Sequence, residues 1–246
     1  MKKLILFLLF PVCFHAQNPD FNSVEYGKLY TGYIQHDGRL QNQMINLVNK
    51  EATSNDLETK GSPYLNDRFW KATLMDSDEN IGDVFVKYHA VAGQFVFKFT
   101  QLEEEEPKGL IKMKNVWLKT EKYGNIRIHS LIDKNGNYQE EYLFPLYEGS
   151  AVNLFYIPRK DFRVGRESHN SMVTDVPNIY TENFQHYVKL EEDDSASYFK
   201  VNNKSFKHLF DRSLYKKIRN YLKEEDLSLK KDEDLEILFE EIDTLL

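Results

Sequence analysis

The stretch Gly124-Asn125-Ile126-Arg127-Ile128-His129-Ser130-Leu131-Ile132-Asp133-Lys134-Asn135-Gly136-Asn137-Tyr138-Gln139-Glu140-Glu141-Tyr142-Leu143-Phe144-Pro145-Leu146 decides the fold. Ile126, Ile128 and Ile132 share one face of a period-two run, as do Tyr138, Tyr142, Phe144 and Leu146 beyond the turn. Between them Asp133 to Asn137 carries Asn-Gly, the strongest short-range hairpin signal, because the turn needs residues that tolerate positive φ. Two strands joined by a tight turn pair antiparallel.

The same pattern extends in both directions. Upstream, Gly61-Ser62-Pro63-Tyr64-Leu65-Asn66-Asp67 reads as a turn. Val84, Val86 and Tyr88 alternate after it, then Phe95, Phe97 and Phe99, with Ala92-Gly93 turning the chain between the two runs. Downstream, Glu148-Gly149 leads into Val152, Leu154 and Tyr156, and weaker runs follow over His186 to Leu190 and Tyr198 to Val201. Strands that succeed one another through short turns, without helices between them, predict an antiparallel meander. So many strands twist and curl, so the meander should close into a barrel or a bent sandwich.

The last forty residues change period. Leu214, Ile218, Tyr221 and Leu222 fall on one helical face, and Leu235, Leu238, Phe239, Ile242 and Leu245 on another, with Asp232 as the expected N-cap of the second helix. The expectation is a mainly β, α+β chain with two or three short helices packed on the sheet. Its divisions are a leader over 1–17, a polar arm over 18–60, the β domain over 61–203 and the helical segment over 204–246.

The leader is read from Lys2 and Lys3, the apolar run Leu4 to Phe14, and the end His15-Ala16-Gln17. That is the layout of a secretory signal, and the run is shorter than the roughly 20 residues a membrane-crossing helix needs. Cleavage after Ala16 or Gln17 removes Cys13, the single cysteine, which leaves a cysteine-free mature chain without disulfide or thiolate metal site. Lipidation of Cys13 is the minor alternative, since Val12 and Pro11 suit it poorly.

Loss of Lys2 and Lys3 takes the formal charge from −7 to −9. An acidic chain repels phosphate backbones, so nucleic acid is not an expected partner. With 17 Phe and 15 Tyr there is core material enough to exclude a disordered chain.

The Gly61 to Asn66 turn, the run Leu143-Phe144-Pro145-Leu146-Tyr147-Glu148-Gly149 into Val152-Asn153-Leu154-Phe155-Tyr156, and the tail from Tyr187 with Leu222-Lys223-Glu224-Glu225-Asp226-Leu227 resemble a family. It comprises uncharacterised exported proteins of Bacteroidetes-type Gram-negative bacteria. The resemblance implies an envelope location and no activity. A helical C-terminus is unlike the β-rich sorting domains of such bacteria, which favours the periplasm over an extracellular or outer-membrane site.

Chemistry is sparse. The sequence holds no nucleophile elbow, zincin helix, phosphate loop or dinucleotide fingerprint, and it nominates no catalytic residue, metal ligand or cofactor. His36, His89, His129, His169, His186 and His208 never fall at ligand spacing. Asp76 to Asn80 opens like a calcium loop, but Ile81 stands where glycine is required and Lys87 where a bidentate glutamate belongs, so a hairpin turn is expected. Glu103 to Glu106 reads as a solvated run.

Two weaker signals concern binding. Arg159, Lys160, Arg163 and Arg166 surround Phe162 in an otherwise acidic chain, a composition that suits an anion site or merely a charge-balancing loop. The aromatic excess could line a cavity, although aromatics on strands are mostly core. Three functions follow in order: a non-catalytic envelope interaction module with an unidentified partner, a carrier of a small apolar or anionic ligand in a lipocalin-like barrel, and an enzyme of unrecognised type. The export reading has a direct check: N-terminal sequencing of the exported protein should begin between Ala16 and Asn18, and an intact Met1 or a lipid-modified Cys13 would overturn it.

Overall fold

The Asn-Gly hairpin forms around one carboxylate. Asp133 accepts the backbone amides of Asn135 at 2.8 Å and Asn137 at 2.9 Å, and the Gln139 side chain at 3.0 Å, while Gly136 takes φ +85°. The turn thereby fixes the register Ile132 to Tyr138 and Arg127 to Leu143. This computed structural model describes residues 57–169 and 174–246. The leader with Cys13, and the arm up to residue 56, lie outside the described residues.

Among the described residues eleven strands and three helices follow in order. They are β1 (Thr59–Lys60), β2 (Trp70–Asp76), β3 (Glu79–His89), β4 (Gln94–Lys98), β5 (Lys108–Gly109), β6 (Val116–Thr120) and β7 (Gly124–Ile132). Then come β8 (Tyr138–Glu148), β9 (Val152–Arg163), β10 (Asn178–Leu190), β11 (Ala196–Phe199), α1 (Asn203–Leu209), α2 (Arg212–Glu224) and α3 (Asp232–Leu245). The sheet runs β1-β10-β9-β8-β7-β6-β2-β3-β4-β5, and β11 joins β10 to β7. The mainly β architecture with a helical C-terminus is thus as the sequence predicts.

Three pairings depart from a pure antiparallel meander: β11 lies parallel to β7, β1 lies parallel to β10, and β2 pairs with the non-consecutive β6. The first has a large consequence. Because β11 pairs with β10 through Val188–Ser197 and with β7 through Leu131–Ala196, the strands β7, β8, β9, β10 and β11 close into a five-membered ring.

Strand alternation sorts the side chains of that ring. Inside lie Leu131, Leu143, Phe155, Ile157, Tyr187 and Ala196, with Tyr198 partly buried against them. Outside, Ile126, Ile128, Tyr142 and Phe144 meet Leu74, Val86, Tyr88, Phe95 and Leu118 from the β2–β6 part of the sheet. Rings interlock there: Phe95 stands edge-on to Tyr142 at 4.9 Å, and Tyr88 to Phe144 at 5.1 Å. The sheet therefore curls into a ring of strands that is not an even barrel, and the outer face of the ring packs on the β2–β6 part of the sheet.

The rest of the outer face, Val152, Leu154, Val188 and Phe199, is covered by the helices. Asn202 caps α1 through the Ser205 amide and Asp211 caps α2 through the Leu214 amide at 2.8 Å. The α3 cap is Lys231 rather than Asp232, which becomes the first helical residue and places its charge at the positive end of the dipole. Phe239 is fully buried, with its ring 6.0 Å from Phe206 and 6.3 Å from Phe199. Phe239→Ala should cost about 3–5 kcal/mol and lower the melting temperature clearly, whereas Glu240→Ala on the exposed face should stay within about 0.5 kcal/mol. Equal melting temperatures would mean that α3 is not docked.

Candidate functional site

The four basic residues singled out in the sequence belong to a strand and its extension, and the strand disperses them. Arg159 reaches Glu141 at 2.9 Å, and Glu141 also receives Lys112 at 2.5 Å, a half-shielded ionic triad. The β3–β4 turn closes over it at Gly93, where φ is +67° and a Cβ would overlap the Arg159 guanidinium. Lys160, one residue on, points elsewhere and donates to the carbonyls of Ser62 at 3.1 Å and Tyr64 at 2.6 Å. It thus fastens the Gly61 to Asn66 turn onto β9. Arg163 is exposed at the end of β9, and Arg166 is exposed beyond it, where its backbone bridges Val176. Arg159 and Lys160 thus go to different partners, and Arg163 and Arg166 stand exposed.

Other singled-out residues also have local tasks. Asp76, at the end of β2, accepts the side-chain amide of Asn115 at 2.7 Å and so ties the β2–β3 hairpin to the start of β6. Glu105, from the acidic run, accepts the amides of Phe99 and Thr100 at 2.8 Å and the Thr100 hydroxyl at 2.7 Å, so one carboxylate of that run folds its own loop. Among the described residues no group of three His, Cys, Asp or Glu side chains is gathered to hold a metal ion, and no helix is long and apolar enough to cross a membrane.

A different basic group is assembled by helical spacing. Arg212, Lys216, Arg219 and Lys223 stand four, three and four residues apart on α2, which places them in one stripe about 16 Å long. Leu214 and Ile218 bury the opposite face. Lys207 from α1 joins the stripe, and with Tyr215 and Asn220 these residues line an open groove of about 720 Å³. All five cations are exposed. None of them makes a salt bridge among the described residues. The stripe is written in the sequence at helical spacing, but its members are spread over twelve positions and do not stand out as a local run.

No protein-family model, curated protein or solved structure matches the chain. What its surface binds has to be read from its own chemistry.

The described histidines do not converge. His169 and His208 are exposed, His186 stands 3.9 Å from Asp232, and His89 and His129 sit in separate parts of the fold; His36 lies outside the described residues. His89 is fully buried, its Nδ1 accepts the Ala92 amide at 3.1 Å, and its ring stands edge-on to Tyr64. Burial pushes its pKa down to about 4, and burial does the same to His129, which lies against Phe155. Both folded values lie below the unfolded value of about 6.5, so the neutral rings favour the fold above pH 6.5 and that contribution is lost as pH falls towards 4. For His89 the loss is on the order of 3 kcal/mol. Urea unfolding should show stability falling between pH 6.5 and pH 4, with both rings still neutral by NMR near pH 5. Titration of both at the ordinary value would overturn this.

Proposed function

We propose that the protein is an exported, non-catalytic interaction module of the cell envelope that holds a polyanionic partner along α2. The observation that carries this reading is the stripe Arg212, Lys216, Arg219 and Lys223 with Lys207, five exposed cations that make no ion pair among the described residues, in a chain of formal charge −7. Many exposed lysines and arginines of this chain make no salt bridge among the described residues, so what distinguishes these five is that they stand together. Five left together give a local positive potential, and at physiological ionic strength the distant negative charges are screened beyond about 8 Å. Arg adds a planar fork that can grip a carboxylate, sulfate or phosphate at two points.

The interior of the ring favours a module over a carrier. Lipocalin-like barrels hold a ligand with about eight strands, whereas here five strands enclose Leu131, Leu143, Phe155, Ile157, Tyr187 and Ala196. The leader and the family resemblance support the envelope, and the periplasm within it.

On a sulfated-polysaccharide column at modest salt the exported protein should be retained despite its net negative charge, and rising salt should release it. Lys216→Gln with Arg219→Gln should elute at clearly lower salt with an unchanged melting temperature. Arg163→Gln with Arg166→Gln should elute with the wild type; if that pair alone abolishes retention, the anion site is on the β9–β10 hairpin instead. A wild-type protein that flows through would overturn the reading.

A further inference from the structure

A second open cavity, of about 460 Å³, lies where the β6–β7 turn, the end of β8 and the first turns of α3 meet. Its working surface is Tyr123, Tyr147, Tyr156, Glu148, Glu236 and Lys122. From this surface we infer a binding site for a short neutral saccharide. The inference is independent of the α2 stripe and adds a second ligand class.

The aromatic floor is held in place before any ligand arrives. The Tyr123 hydroxyl accepts the Asn66 side-chain amide at 2.7 Å, and its ring stands edge-on to Trp70 at 5.5 Å and Phe144 at 5.7 Å. Tyr156 lies against Phe144 at 5.5 Å and stacks on Phe184 at 5.8 Å. Rings held in this way line the cavity with little ordering cost when a ligand enters.

The polar rim decides the ligand class. The Tyr156 hydroxyl and the carboxylates of Glu148 and Glu236 make no hydrogen bond or salt bridge among the described residues, so their capacity remains available. Lys122 supplies the donors, its ammonium 4.9 Å from the centre of the Tyr123 ring. An anionic ligand would face two carboxylates. A cationic one would meet Lys122 already seated over the aromatic face. An apolar one would strip water from carboxylates and phenol without replacing their bonds. A polyhydroxylated neutral ring does none of these: its hydroxyls donate to Glu148 and Glu236 and accept from Lys122.

Calorimetric titration with cellobiose, maltose and N,N′-diacetylchitobiose tests this, with choline and galacturonate as the charged comparisons. At least one neutral disaccharide should bind with Kd on the order of 1 mM or tighter. Tyr156→Phe, which keeps the ring, and Glu236→Gln should each weaken it about three- to tenfold, the loss of one or two hydrogen bonds. Glu104→Gln, exposed in the β4–β5 loop, should leave it unchanged. The inference is overturned if none of the three sugars binds by about 10 mM, if choline or galacturonate binds in their place, or if neither variant weakens binding. The polyanion reading stands or falls separately, since Tyr156 and Glu236 are not among the α2 groove residues.

Discussion

Tyr142, Leu143 and Phe144 are consecutive and all three are fully buried. This is possible only because β8 has a core on each side, and the fold depends on that constraint. An ordinary antiparallel strand keeps one face in water and alternates cleanly. Here Tyr142 and Phe144 serve the core shared with the β2–β6 strands while Leu143 fills the ring. A slip of one residue would exchange the two sets and ruin both cores, so register must be held tightly. The Asp133 turn holds it at one end. At the other, the pairing shifts between Pro145 and Tyr147, and beyond the shift Leu146 and Tyr147 turn to the helical core.

The helices follow from the same constraint. The β2–β6 strands cover only part of the ring's exterior, and Val152, Leu154, Val188 and Phe199 would otherwise face solvent. Their covering is anchored by a single carboxylate. Asp243 on α3 accepts the backbone amides of Ser150 at 3.1 Å, Ala151 at 2.7 Å and Val152 at 2.9 Å, with the Ser150 hydroxyl at 3.1 Å. Burial alone would raise that carboxyl; the amides and hydroxyl outweigh it and hold it below its ordinary value. Gly149 is required beside it, because a Cβ there would overlap the Asp243 carboxylate. The β8–β9 turn and the last helix are therefore one unit.

Period-two and period-3.6 signals made most of this architecture legible: the Asn-Gly hairpin, the alternation of Val84 to Tyr88 and Phe95 to Phe99, and the apolar faces of α2 and α3. The ring was not legible, because its closure rests on β11, four residues long and paired parallel to a strand some sixty positions earlier. Nothing local in Ala196 to Phe199 encodes that partner. The basic residues show the complementary effect. Arg159 and Lys160 are neighbours in sequence, but a pleated strand sends neighbours to opposite faces, so one ends on Glu141 and the other on the Ser62 and Tyr64 carbonyls. Arg212 and Lys223 are eleven residues apart, and a helix returns them to one stripe. For charge clusters the element's period matters more than closeness in the chain, and the cavity around Tyr123, Tyr156 and Glu236 needed three separate elements to exist at all.

The α2 stripe also runs against the helix that carries it. Arg212 to Lys216, Lys216 to Arg219 and Arg219 to Lys223 are like-charge neighbours, each unfavourable by about 0.2–0.5 kcal/mol in an isolated helix. The first turn of α2 contains no acidic residue, and Arg212 sits there against the positive end of the dipole. By contrast α3 opens with Asp232, Glu233 and Asp234, which obey the dipole rule. A carboxylate in place of Arg212 would have suited the dipole, whereas Lys223 in the last turn suits it as it stands. Arg212 thus breaks the rule that α3 keeps at its start and that Lys223 keeps at the end of α2, and no ion pair among the described residues offsets it; on the reading proposed above, the partner comes from outside the chain.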